Sequence, residues 1–146
     1  MTSKQHKKHY LFVYGTLRKG FTHSFLNDIA MDMNLVAKGE INAEFFDIGE
    51  YPAALPTKEK NAHIEGDIFE INHPRKVLKI LDDYEGFDRN DKKNSEYLRK
   101  KTNIQLISGD NLEAWVYWYN FPVNPLKKIT NRSYLDYLQE KPLVIH

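Results

Sequence analysis

Apolar positions in this chain fall into short runs separated by glycine, proline and polar clusters, a spacing that predicts strands interrupted by three helices. The first run, His9-Tyr10-Leu11-Phe12-Val13-Tyr14, is rich in β-branched and aromatic side chains and stops at Gly15, so it predicts a buried strand followed by a turn. Across residues 21–33, Phe25, Leu26, Ile29 and Met33 recur at helical spacing, with Thr22 or Ser24 available as a cap, which predicts a short helix. Residues 35–48 hold short apolar stretches broken by Gly39, Asn42 and Gly49, the pattern of a strand or hairpin. Pro52 and Pro56 argue against any regular element in the segment that contains them. Residues 62–71 alternate Ile64, Gly66 and Ile68 with Glu65 and Asp67, predicting a strand with one charged face.

The clearest helix begins at Pro74, whose φ is already set for a first helical position, and carries Val77, Leu78, Leu81 and Tyr84 on one face. Gly86 supplies the left-handed residue that closes such helices, so Glu85 is expected on the last turn or just beyond it. Residues 88–96 are almost wholly polar and predict an exposed loop. Runs at 97–107 and 112–119 flank Ser108-Gly109-Asp110-Asn111 and predict a hairpin, and Tyr134, Leu135 and Leu138 predict a closing helix. Strand and helix do not alternate regularly, so the pattern suits an α+β domain on a curved mixed sheet or small barrel better than a doubly wound sheet.

Composition narrows the function more than the fold. The 146 residues suit one domain, 1–146, and with 41% hydrophobic and 13% aromatic residues they can fill one core. With 21 basic against 20 acidic side chains, the net charge of +1 gives no field to draw in nucleic acid or an anionic membrane. A small molecule is the expected partner, with the protein itself a monomer or weak dimer. The basic cluster Lys4, His6, Lys7, Lys8 and His9 reads as a solvated arm over residues 1–8, and nucleic-acid binding through Lys92, Lys93, Arg99, Lys100 and Lys101 is disfavoured by the balanced charge. Zero cysteines exclude disulfides, a thiolate nucleophile and cysteine-based zinc sites. No apolar stretch approaches the ~20 residues a bilayer requires and the N-terminus has no secretory apolar core, so a cytoplasmic protein is expected. The six histidines show no metal spacing, and no metal or cofactor is expected.

Phosphate-binding, zinc-protease and nucleophile-elbow signatures are missing. Two segments can carry chemistry. The turn Tyr14-Gly15-Thr16-Leu17 can expose successive backbone N–H groups to a carboxylate or oxyanion, although its spacing equally suits a plain strand-to-helix turn. Asp82, Asp83 and Glu85 admit three readings: a solvated acidic helix end, a divalent-metal site lacking the usual loop, or a general acid/base. Aromatic neighbours that partly desolvated Glu85 would raise its pKa toward neutrality. Trp115, Tyr117 and Tyr119 alternate as a strand does and suit core or pocket wall, and His63 could line a pocket.

Four ordered segments, Val13-Tyr14-Gly15-Thr16-Leu17-Arg18-Lys19-Gly20, Tyr51-Pro52, Ile64-Glu65-Gly66-Asp67-Ile68-Phe69 and Leu81-Asp82-Asp83-Tyr84-Glu85-Gly86-Phe87, together resemble the motif set of the γ-glutamylcyclotransferase-like family. Tyr97-Leu98-Arg99 and Ala114-Trp115-Val116-Tyr117 resemble its later strands, so the likeness spans nearly the whole chain. The resemblance implies a small mixed β-barrel with flanking helices and a cofactor-independent release of 5-oxoproline from a γ-glutamyl amine or γ-glutamyl amino acid. It also implies Glu85 as the acid/base and Tyr14, Gly15, Thr16, Leu17, Tyr51 and Tyr97 as substrate-binding residues. Phe87 and Tyr119 are expected beside Tyr51 and Tyr97 in the pocket wall. A non-catalytic small-molecule-binding or regulatory module of the same fold is the alternative.

Overall fold

The computed structural model describes residues 7–15, 27–49 and 51–140. Within them, strand β1 (His9–Val13) lies between β4 (His63–Ile71), antiparallel, and β6 (Asn111–Tyr119), parallel through Leu11 and Trp115. β4 pairs with β2 (Met33–Asp47), and β6 with β5 (Tyr97–Leu106). Pairing of Gly39 and Glu40 in β2 with Leu106 and Gln105 in β5 then joins the two ends, so β2, β4, β1, β6 and β5 close a five-stranded mixed barrel. This is the small mixed β-barrel with flanking helices expected from the sequence.

β1 has apolar residues on both faces because both faces are buried. Phe12 and Tyr14 pack inside the barrel with Phe45, Ile68, Val116 and Tyr134. Leu11 and Val13 point outward into a second core against Val77, Leu78 and Leu81 of helix α2 (Pro74–Glu85). Each fully buried side chain of this size contributes roughly 1.5–3 kcal/mol of hydrophobic stabilisation.

Gly66 is where the barrel wall comes closest to its contents. A Cβ there would lie 2.5 Å from Cζ of Phe12 and 2.6 Å from the carbonyl oxygen of Val13, and the carbonyl belongs to backbone that cannot simply rotate away. Gly66→Ala is therefore expected to destabilise the fold by about 1–3 kcal/mol, as overpacking does. Chemical denaturation measures this, and an unchanged midpoint would contradict the close packing.

Of the strand or hairpin expected over residues 35–48, the protein forms the strand, one long element over residues 33–47 bent by a register shift between Leu35 and Ala37. Two other elements depart from expectation. Pro52–Pro56 is regular after all: it is strand β3, an edge strand on the distal part of β2, where proline is tolerated because one side needs no ladder partner. Of the helix expected at 21–33, the described part is one turn, α1 (Asn27–Ala30), and residues 21–26 lie outside the described residues. Met33 begins β2 opposite Ile71, its side chain entering the second core from a strand instead. A two-residue strand, β7 (Lys128–Ile129), also pairs with β2, and helix α3 (Tyr134–Glu140) closes the barrel interior with Tyr134. Lys7 and Lys8 of the expected arm sit beside β1, Lys8 3.9 Å from Glu70, and residues 1–6 lie outside the described residues. No helix among the described residues is long and apolar enough to cross a membrane.

Candidate active site

Helix geometry brings a carboxyl to the core. Val77 and Leu81 face the second core, and Glu85, four residues beyond Leu81, falls on the same stripe at the helix end. Gly86 (φ 70°) stops the helix there, with its own N–H and that of Phe87 satisfying the carbonyls of Asp83 and Asp82. The loop then folds back. Ser95 bonds Asp88 and Asp91, and the N–H of Glu96 donates to the carbonyl of Gly86 at 3.0 Å, which starts β5 beside Glu85.

Glu85 lines a pocket of about 480 Å³, open mouth included. Its walls are the end of β1 through Tyr14 and Gly15, the β3 entry at Tyr51 and Pro52, Tyr84 of α2, Tyr97 of β5 and Tyr117 of β6. Tyr14, Gly15, Tyr51, Glu85 and Tyr97 thus share one hollow, whereas Thr16 and Leu17 lie outside the described residues. Phe87 and Tyr119 are not part of its lining: Phe87 lies under the Arg99 guanidinium at 5.7 Å, and Tyr119 meets Tyr97 edge-on at 5.3 Å. His63 lines a different hollow, beside Ile64 and Arg132, and lies 3.9 Å from Glu40.

Burial pushes the Glu85 carboxyl up to about 8, with the nearby Glu96 carboxylate adding to the shift. The Glu85 carboxyl makes no hydrogen bond to another described residue. Burial likewise holds the phenols of Tyr14, Tyr97 and Tyr117 above the usual tyrosine range, and a charge on Glu85 would raise all three further, as its closeness to each requires. These phenols stay protonated, and each is already committed. Tyr14 donates to the carbonyl of Tyr117, Tyr97 to the carbonyl of Pro52 at 3.0 Å, and Tyr117 to Asp82 at 2.7 Å. They shape the pocket without offering it free hydroxyl donors.

The raised carboxyl has a consequence for stability. Between the unfolded value of about 4.3 and the folded value of about 8, the folded state keeps a proton that the unfolded chain releases, so stability falls as pH rises through this window. Denaturation at about pH 5 and about pH 8.5 is expected to show Glu85→Gln gaining on the wild type at the higher pH. Parallel midpoints at both pH values would contradict a carboxyl that the fold keeps protonated.

Of the other two acids, Asp82 is the acceptor of Arg99 Nε at 2.7 Å and Nη2 at 3.1 Å, and Asp83 is exposed. Among the described residues no group of three or more histidine, aspartate or glutamate side chains could hold a metal ion. The sequence reading did not find the Asp82–Arg99–Tyr117 network, since its members come from a helix and two strands 17 and 35 residues away.

Residues 11–136 match the model of a family described as gamma-glutamyl cyclotransferase, AIG2-like. MJ1514 of Methanocaldococcus jannaschii is 34% identical over 110 residues, which cover 75% of this chain and 83% of that protein. An AIG2-like protein of Mus musculus superposes with a TM-score of 0.65 at 22% identity, covering 88% of this chain and 89% of that one. YkqA of Bacillus subtilis superposes at 0.66 with 20% identity over 92% of this chain, which spans 42% of the YkqA chain.

Proposed function

This chain belongs to the gamma-glutamyl cyclotransferase, AIG2-like family, and from that premise we propose that it releases 5-oxoproline from a γ-glutamyl amine or γ-glutamyl amino acid, with Glu85 moving the proton. The observation that carries this reading is a single carboxyl, pushed up to about 8, open to the pocket that Gly15 also lines.

A γ-glutamyl group arrives with its α-amine protonated, and the nitrogen cannot attack until that proton leaves. Transfer to an ordinary carboxylate near ~4.3 from an α-ammonium near ~8 would be uphill by several pH units. With Glu85 lifted to about 8 the two values are level, so its ionised form, which the arriving ammonium favours, takes the proton at nearly equal energy. The freed amine then attacks the γ-carbonyl carbon, forming the ring C–N bond. Negative charge gathers on the carbonyl oxygen, where backbone N–H groups of the turn at Gly15, Thr16 and Leu17 stabilise it by about 3 kcal/mol for each well-aimed donor. The phenols of Tyr14, Tyr97 and Tyr117 point their hydrogens at protein acceptors, which leaves backbone donors suited to this role. Collapse of the tetrahedral species breaks the original amide bond as Glu85 returns the proton to the leaving nitrogen. No water is consumed. Because nucleophile and electrophile belong to one molecule, much of the acceleration comes from holding it folded, the role proposed for the Tyr14, Tyr51 and Tyr97 walls.

The test is product analysis on a panel of γ-glutamyl amines and amino acids in ¹⁸O-water. Unlabelled 5-oxoproline, formed mole for mole with free amine, is the expected result. Labelled glutamate would mean hydrolysis, and ligand binding without any product would leave the non-catalytic module.

A further inference from the structure

At the end of β1 away from Gly15, the protein gathers cations around a second hollow. Lys7 and Lys8 leading into β1, His9 at its start, Lys101 of β5, and Glu113 and Trp115 of β6 line a space of about 500 Å³ including its mouth. Strand registry explains the meeting: Lys101 lies opposite Trp115, and Trp115 opposite Leu11, so Lys101, Trp115 and His9 share one outer face.

The charges there are not balanced locally. Lys8 is held by Glu70 at 3.9 Å and Lys101 by Glu113 at 3.7 Å. Lys7 has no carboxylate partner among the described residues, yet it stands close enough to Lys101 to depress the latter's affinity for its proton. Burial lowers His9, and Lys101 and Lys7 lower it further. The Lys101 ammonium sits 5.2 Å over the Trp115 ring. A fold that keeps the Lys7 and Lys101 ammonium groups and an imidazole together gains if an acceptor-only, negatively charged group fills the space.

We propose that this hollow binds a small, multiply charged oxyanion of the phosphate class, held by Lys7 and Lys101 with His9 as a further donor. The site is separate from the Glu85 pocket and does not depend on the reaction assigned there. Glu113 competes with the anion for Lys101, and a bound anion restores the protonation that crowding weakens at His9.

The probe is inorganic phosphate at millimolar concentration, with sodium chloride keeping ionic strength constant, read by thermal unfolding and calorimetry. Specific binding raises the melting temperature along a saturating curve, whereas general salt exclusion rises without saturation. Lys7→Ala/Lys101→Ala is expected to weaken binding by at least about tenfold, the effect of losing one or more charge-assisted hydrogen bonds. Glu113→Gln is expected to tighten it by about threefold, a gain that misfolding cannot mimic. A non-saturating response, or one identical in wild type and both variants, would overturn the proposal.

Discussion

Glu85→Gln is expected to leave a folded protein that binds 5-oxoproline with wild-type affinity and releases it from γ-glutamyl substrates about 10³-fold more slowly. Glutamine keeps the shape and hydrogen-bonding reach of glutamate but can neither take the α-ammonium proton nor return one to the leaving nitrogen. Because the carboxyl is neutral below about 8 in the free protein, the substitution removes little that the fold depends on. The two halves of the result separate proton transfer from architecture: calorimetry reports the pocket, turnover reports the carboxyl. Full turnover by Glu85→Gln would assign the proton to another group, and loss of both binding and fold would give residue 85 a structural role instead.

Asp82→Ala is expected to cost about 3 kcal/mol of folding stability. Its carboxylate takes two bonds from Arg99 and one from Tyr117, and the Asp82 and Arg99 side chains are only 18% and 15% exposed. Truncation leaves a guanidinium and a phenol facing a small void with no acceptor, which costs more than the pair itself is worth. Arg99 retains one favourable contact, its guanidinium 4.2 Å over the Trp115 ring, which limits the loss. The site feels the change because Tyr117 lines the pocket, its carbonyl receives the Tyr14 hydroxyl, and Asp82 stands three residues before Glu85. Turnover is therefore expected to fall by about tenfold even where the variant is fully folded. Denaturant unfolding checks the first effect, and Asp82→Ala combined with Arg99→Met is expected to regain part of the stability by removing the stranded charge. A midpoint within error of wild type would mean that solvent satisfies these groups in the folded protein.

Much of this was legible in the sequence wherever local rules decide the outcome. β1 announced itself because burial on both faces leaves a continuous apolar run, and α2 because Pro74 and Gly86 mark its ends while Val77, Leu78 and Leu81 mark its buried side. Gly86 put Glu85 on the last turn or just beyond, and it is the last residue of the helix. The hairpin of β5 and β6 followed from its Ser-Gly-Asp-Asn turn. What stayed hidden depends on distant partners. Pro52 and Pro56 disguised β3, since only its place at a sheet edge makes two prolines acceptable. Gly39 looked like a break in a strand, yet it permits close approach of β5 where the barrel closes, a Cβ there falling 2.7 Å from Ile104 Cγ2. Met33 obeyed helical spacing and still entered the core from a strand, because pairing with Ile71 outweighs one periodic match. The commitments of the tyrosine hydroxyls, which decide what the pocket can donate, were equally unreadable from spacing.

The central claim is that an acid from the end of α2 and the main chain at the end of β1 act on opposite ends of one γ-glutamyl group. A crystal structure of the Glu85→Gln protein holding an uncleaved γ-glutamyl amide tests it most directly. The expected map has the substrate's α-amine within hydrogen-bond distance of the residue 85 side chain and its γ-carbonyl oxygen against the N–H groups of the Gly15 turn. A ligand seated outside this hollow, or one whose α-amine lies beyond reach of residue 85, would contradict the account.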